Sequence, residues 1–188
     1  MKYLYLIRHA KASSEYSLIH DFDRPLKTKG ILQAHQMSNK LISKGIKADM
    51  ILSSTACRAL QTAHIFAIKN NIPYNKIVMD IALYESTVEK TIKSIAQIDD
   101  TCERLFLFGH NPSLLHTANY LLDSYVSDLP VAGIICIRIE SDTWKDLHQN
   151  KNHIEFFDIP DKIEDPRIDI TVIPIQTPDS TNEDAPKI

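Results

Sequence analysis

Tyr3-Leu4-Tyr5-Leu6-Ile7-Arg8-His9-Ala10-Lys11 is an apolar run that stops abruptly at an arginine and a histidine. A run of Leu, Ile and Tyr of this length, bounded by polar residues, suits a strand covered on both faces, as in a parallel α/β sheet. Ligand sites in such sheets lie at the carboxyl ends of the strands. The stretch therefore predicts a first strand that delivers Arg8 and His9 to a site. A guanidinium is a permanent cation whose fork of donors matches a phosphate or carboxylate. A neutral imidazole can act as nucleophile, general base or metal ligand. Judged alone, such a pair is more often a surface arginine beside a capping or core histidine, so the reading depends on what the rest of the chain brings to the same edge.

Working outward, residues 12–24 have loop composition, with Ser13, Ser14, His20, Asp21, Asp23 and Arg24 ahead of Pro25, long enough to fold over a site. Residues 26–44 read as an amphipathic helix with Thr28 as N-cap and Gly45 as its stop. Residues 48–52 read as a second strand closed by Ser53-Ser54-Thr55, and 56–69 as a second helix with Arg58 in its first turn. A cation there opposes the helix macrodipole. It calls for compensation that a bound anion would supply, or for a guanidinium that reaches away into solvent.

A third strand is expected at 76–79. Leu83-Tyr84-Glu85 then connects to a helix with Val88, Ile92, Ile95 and Ala96 inward, opened by a Ser86/Glu89 capping box. Glu85 thus falls on the same rim as His9 and Arg58 if the strands are parallel. The fourth strand, 104–108, ends in Gly109-His110-Asn111-Pro112-Ser113, placing a second histidine at a strand end before a Pro-Ser helix start. A helix at 113–122, strands at 133–139 and 153–159, and Trp144 as a packing anchor complete the pattern. From Asp161 the chain is rich in Asp, Glu and Pro, with Ile and Val at 168–175. It reads as an appendage, one edge strand or a segment packed on the surface, with disorder expected over 177–188. The division is a domain at 1–160 and an acidic, Pro-containing extension at 161–188.

With 188 residues, 44% of them hydrophobic, the chain suits one domain with a sizeable core. A net charge of −3 and a pI near 6.2 give no global basic field, so nucleic-acid binding by bulk electrostatics is disfavoured and any anion site must be built locally. Cys57, Cys102 and Cys136 are odd in number and widely spaced, which points to reduced thiols rather than a disulfide or zinc scaffold. No signal peptide or membrane span is read, and the expected location is the cytoplasm. Four glycines leave no room for a P-loop or a dinucleotide fingerprint.

If Arg8, His9, Arg58 and His110 converge, two guanidiniums and imidazole N–H donors surround a pocket matched to a tetrahedral dianion. Like charges push His9 toward its neutral form. It can then attack phosphorus to form a covalent phosphohistidine that water resolves, with no metal or cofactor called for. His110 would donate to the phosphoryl oxygens, and its charge would help hold the transition state. Glu85 is the best-placed proton donor and base, with Asp21 and Asp23 in reserve.

Leu6-Ile7-Arg8-His9-Ala10-Lys11, Asp21-Phe22-Asp23-Arg24-Pro25-Leu26, Ser53-Ser54-Thr55-Ala56-Cys57-Arg58-Ala59-Leu60-Gln61-Thr62-Ala63 and Gly109-His110-Asn111-Pro112-Ser113 together resemble the histidine phosphatase superfamily. The similarity is closest to its SixA-type phosphohistidine phosphatases, and covers roughly 1–160. The resemblance implies a phosphoglycerate mutase-like, three-layer α/β/α fold with a mostly parallel sheet. It implies His9 as the phosphorylated nucleophile and Arg8, Arg58 and His110 as the phosphate pocket. Glu85 falls where many superfamily members keep a proton donor, and Thr55 stands where the family usually has proline.

The expected activity is metal-independent dephosphorylation of a protein phosphohistidine in phosphorelay signalling, on a partner such as a histidine phosphotransfer domain. Only one helix and one strand separate Glu85 from His110, leaving little chain for a cap over a small substrate. Two other readings stay open: a phosphatase for a small phosphoester, and a module that holds phosphorylated ligands without turning them over. His20, His35, His64, His116, His148 and His153 are assigned no catalytic part. Cys57 reads as an inert thiol ahead of an activated one.

Overall fold

The computed structural model describes residues 1–13, 20–147 and 152–163. The stretch expected at 168–175, the disorder expected at 177–188 and His148 lie outside the described residues. Six strands form one sheet: β1 (Lys2–Arg8), β2 (Met50–Ser54), β3 (Ile77–Asp80), β4 (Arg104–Gly109), β5 (Ile134–Ile139) and β6 (His153–Asp158). Their spatial order is β3-β2-β4-β1-β5-β6. The pairings β1·β4, β2·β4 and β2·β3 are parallel, while β5 runs antiparallel between β1 and β6. The helices are α1 (Thr28–Ser43), α2 (Cys57–Lys69), α3 (Val88–Ile95) and α4 (Ser113–Leu121).

The period-two alternation of β1 explains the layers. Tyr5 and Ile7 pack with Ala34, Met37 and Leu41 of α1 and Ala63 and Phe66 of α2. Leu4 and Leu6 pack on the other face with Ile95 of α3 and Leu114, Ala118 and Leu121 of α4. With both faces covered, β1 has no polar face to show, which is why it reads as a continuous apolar run. The result is the expected three-layer α/β/α sandwich with a mostly parallel sheet. None of its described helices is long and apolar enough to cross a membrane.

Local starts differ from the sequence reading. Thr28 is the first residue of α1 rather than its cap: Lys27 holds the N-cap position and makes no side-chain cap bond. The α1 start is instead fixed by the strand exit, with Lys27 N–H donating to the Lys11 carbonyl at 2.9 Å. Gly30 permits that approach, because a Cβ there would lie 2.1 Å from the same carbonyl oxygen. The cap of α3 is Thr87, which accepts from Lys90 N–H. Ser86 hydrogen-bonds Thr91 Oγ1 in place of forming a capping box with Glu89. Capping needs a side-chain oxygen over the N2 or N3 amide, and a one-residue offset decides which hydroxyl reaches it.

Candidate active site

Register brings the site together. Arg8 is paired with Gly109 across the β1·β4 ladder, and His9 N–H donates to the Gly109 carbonyl at 3.1 Å, so His9 and His110 leave neighbouring strands at the same level. Their rings lie 5.1 Å apart. On the other side of β4, Ser53 of β2 is level with Phe108, which puts Ser54 beside His110. Ser54 Oγ and His110 Nε2 are 2.9 Å apart.

His9 Nδ1 lies 2.8 Å from the Ala10 carbonyl, and Arg58 Nε donates to His9 Nε2 at 3.3 Å. A carbonyl can only accept and a guanidinium only donate. Both contacts therefore require the proton on Nδ1 and the lone pair on Nε2. Burial is the first reason the His9 pKa falls, to about 4; the Ala10 carbonyl opposes it, and Arg58, Arg8 and Arg24 add to it. The cations singled out from the sequence act in the expected direction, but desolvation leads. His110 is pushed down to about 3, first by burial, then by His9 and Arg58. It is therefore a neutral hydrogen-bonding imidazole, not the charged one that the sequence reading had in mind.

Arg58 is buried in the first turn of α2. Thr62 ties that turn to the strand exit: its hydroxyl accepts from Ala10 N–H at 3.1 Å and donates to the Arg58 carbonyl at 2.7 Å. The compensation an arginine needs at a helix start comes here from Asp21. Arg58 donates through Nη1 to the Asp21 carbonyl at 2.6 Å and through Nη2 to Oδ2 at 3.0 Å. Tyr84 OH donates to the same Oδ2 at 3.1 Å, and the Tyr84 ring stands edge-on to His110. Burial alone would raise the Asp21 pKa, but Arg58, the Tyr84 hydroxyl and Arg24 bring it below the usual carboxylate value. Asp21 is thus suited to orienting Arg58 and poorly suited to giving up a proton.

Arg8 reaches to the opposite face, where Nη1 donates to the Leu129 carbonyl at 2.8 Å; Asn111 Nδ2 donates to the same oxygen at 3.0 Å. Among the described residues, Arg8 Nε and His110 Nδ1 are buried without a hydrogen-bond partner. Arg8, His9, Arg58 and His110, read from distant parts of the sequence, thus meet at one sheet edge. Glu85 is exposed, has left-handed backbone (φ 48°) and makes no hydrogen bond to a described residue. Its neighbour Tyr84 enters the cluster instead. Asp23 is also exposed. The Cys57 pKa is raised, first by burial and then by Asp23, so the thiol is not activated.

Ser54, Tyr84, Asn111 and Leu129 were not singled out from the sequence. Ser54 carried a signal, since it follows a strand one register step from His110. The Leu129 carbonyl carried none. Among the described residues, no three His, Cys, Asp or Glu side chains are grouped to hold a metal ion.

The family model of the histidine phosphatase superfamily (branch 1) matches residues 4–100. An uncharacterized protein of Mycobacterium tuberculosis is 28% identical over 164 residues, 82% of this chain and 99% of its own. One from Picosynechococcus sp. is 29% identical over 139 residues, 72% of this chain and 84% of its own. Among solved structures, a candidate phosphohistidine phosphatase SixA of Agrobacterium tumefaciens superposes with TM-score 0.70 at 25% identity, covering 85% of this chain and 99% of that one. The protein histidine phosphatase SixA complexed with tungstate superposes with TM-score 0.73 at 17% identity, covering 84% and 97%. The sandwich superposes on these SixA structures, and the chain belongs to the histidine phosphatase superfamily, branch 1.

Proposed function

We propose that the chain is a metal-independent phosphatase that acts through a phosphohistidine at His9 and takes phosphoryl from a protein-borne phosphohistidine. Superfamily membership supports phosphatase activity. The single observation that carries the mechanism is the hydrogen-bonding of His9, with Nδ1–H held by the Ala10 carbonyl and the lone pair therefore on Nε2, where it accepts from Arg58 Nε at 3.3 Å. In the first step Nε2 attacks phosphorus, the Nε2–P bond forms and the bond to the departing imidazole nitrogen breaks. In the second, water attacks phosphorus and the Nε2–P electron pair returns to His9.

Arg58 and Arg8 hold the equatorial oxygens, and Ser54, hydrogen-bonded to His110 Nε2, orients the second imidazole for the same oxygens. A bound dianion also favours protonation of His110, countering the shift it has in the free protein. A phosphohistidine substrate whose other ring nitrogen already carries a proton leaves as neutral imidazole and makes little demand for an acid. That suits a rim where Asp21 is held ionised and Glu85 is exposed. Glu85 becomes the proton donor for alkoxide-leaving esters. We place the activity in the cytoplasm, where Cys57, Cys102 and Cys136 stay as thiols.

The test is labelled phosphate transferred from a phosphohistidine peptide, with trapping by rapid acid-free quench. Wild type becomes labelled, His9→Ala does not, and turnover of the variant falls by at least ~10³. Phosphate release survives a strong chelator. Faster turnover of small phosphoesters than of the peptide overturns the protein-substrate reading, and a wild type that never labels favours a non-catalytic binder.

A further inference from the structure

The two edges of the sheet differ among the described residues. β6, at one edge, carries His153, Glu155 and Asp158 and meets β5 through a register shift. It is tied to α1 by Lys44, whose Nζ donates to Asp158 Oδ2 at 2.5 Å. Charges and irregular pairing of that kind keep an edge strand from pairing further. β3, at the other edge, reads Ile77-Val78-Met79-Asp80 and pairs β2 in unbroken parallel register, from Ile51 with Ile77 to Ser54 with Asp80. Its apolar stretch contains no proline, lysine or bulge. Val78 is 38% exposed, Met79 60%, and Ile81, just past the strand, 61%. Successive residues of a strand point to opposite faces, so this edge is apolar and open on both. Such an edge is a template for another strand.

We propose that the β3 edges of two copies of this chain pair antiparallel about a two-fold axis at Val78. The sequence around β3 selects this occupant, because it complements itself when reversed. With Val78 opposite Val78 of the second copy, Ile77 lies opposite Met79 and Lys76 opposite Asp80. Apolar side chains meet on each face, and an opposite-charge pair closes each end, the pairings that stabilise antiparallel neighbours. Moving the axis to Ile77 sets Lys76 against Val78, and moving it to Met79 sets Asp80 against Val78, so either shift leaves the charges unpaired. The carboxylate is held ready. Asp80 Oδ1 accepts from Ala82 N–H at 2.8 Å and Oδ2 from Ser94 Oγ at 2.5 Å, and each oxygen keeps a lone pair for the lysine. The same carboxylate caps the turn Ile81–Leu83, so the interface grips the segment that brings Tyr84 to Asp21 and His110. Because the axis stands normal to the sheet, the parallel strands of the two copies run in opposite directions. Their pockets then open at opposite ends of the joined sheet, clear of one another. Four paired residues a side make a small interface, so a dissociation constant of ~1–100 µM is expected in place of an obligate dimer.

The test is sedimentation velocity of the 188-residue chain from about 1 µM to about 1 mM, with no phosphorylated ligand, so its outcome is independent of the proposed activity. Wild type is expected to move from the 21.4 kDa monomer toward twice that mass. Val78→Lys, which sets two cations face to face on the axis, stays monomeric at every concentration. Oxidative cross-linking reads the register and does not depend on that variant's folding. Residues directly opposite in an antiparallel pair have Cα atoms about 4.5–5.5 Å apart, within disulfide reach. Val78→Cys is therefore expected to form a covalent dimer under mild oxidant. Wild type, with Cys57, Cys102 and Cys136 only, does not, and neither does Met79→Cys, whose two copies stand roughly 8 Å or more apart. A wild type that stays monomeric to about 1 mM leaves the edge to a different partner and overturns the proposal. A dimer that Val78→Lys leaves intact, or cross-linking at Met79 in place of Val78, overturns it equally.

Discussion

His9 and His110 are each held neutral by the same wall of protein that aligns them, and this links the chemistry to stability. For His9 the ordinary pKa of 6.5 falls to about 4 in the fold, and for His110 to about 3. Between those values the unfolded chain binds protons that the folded chain refuses. Stability is therefore full above about 6.5 and is lost as pH falls toward 4. Each histidine steepens that loss by up to roughly 1.4 kcal/mol per pH unit. Urea denaturation at pH 7 and pH 5 is expected to show the decline in wild type and a shallower one in His110→Asn; equal slopes would contradict the burial argument. Ser54 offers a second test at this scale. Its hydroxyl is fully buried against His110 and also accepts from Ala56 N–H at 3.3 Å. Ser54→Ala is expected to cut kcat by about tenfold, the effect of ~1.4 kcal/mol. Ser54→Thr should restore part of the loss, as a purely structural role would not.

Strands and helices carry most of what could be read before any coordinates. Buried parallel strands advertise themselves because both faces are apolar, and β1, β2 and β4 were legible for that reason, with Arg8, His9 and His110 at their ends. Helix starts were less so. Thr28 and Ser86 looked like caps by composition, but which hydroxyl meets an amide depends on one residue of offset, set by tertiary contacts such as Lys27 to Lys11. Gly30 is the clearest case of a signal invisible in sequence, since a glycine within a helix ordinarily lowers confidence in the helix. Here it lets the first turn of α1 lie on the strand exit that positions His9. Gly30→Ala would set a methyl 2.1 Å from the Lys11 carbonyl oxygen, an overlap with backbone that cannot rotate away. The expected cost is about 2–3 kcal/mol of stability, with a parallel fall in phosphatase turnover as the loop after His9 is displaced. A thermal melt and an initial-rate assay on the same sample check both. An unchanged melt would mean that α1 slides freely on the strand exit.

Over the whole molecule, chemistry and anchoring sit at opposite ends of the sheet. The pocket gathers at the carboxyl ends of β1 and β4, while Trp144 closes their amino ends, ~20 Å away by the rise of a seven-residue strand. This separation was only half legible. The four site side chains were readable because each ends an apolar run or opens a helix. Leu129, which holds Arg8, lies in a segment with neither period and is placed only by the assembled fold. Trp144 read as a packing anchor, and its surroundings say what it anchors. It is completely buried, its Nε1–H donates to the Cys102 carbonyl at 2.9 Å, and its N–H donates to Asp100 Oδ1 at 2.8 Å. Lys2, at the start of β1, donates to the Asp100 and Cys102 carbonyls and stands near the indole ring. In Trp144→Phe the Cys102 carbonyl keeps its bond from Lys2, so no buried acceptor is orphaned. The loss is one hydrogen bond and part of a ring, about 2 kcal/mol together. For a chain of this size that corresponds to a drop of about 4–8 °C in Tm. The rate of phosphate release at 25 °C should stay at the wild-type value, because nothing within reach of His9 changes. A variant that melts normally but loses activity would show that the two ends of the sheet are coupled, and that the register of β1 against β4 is set from the Trp144 end.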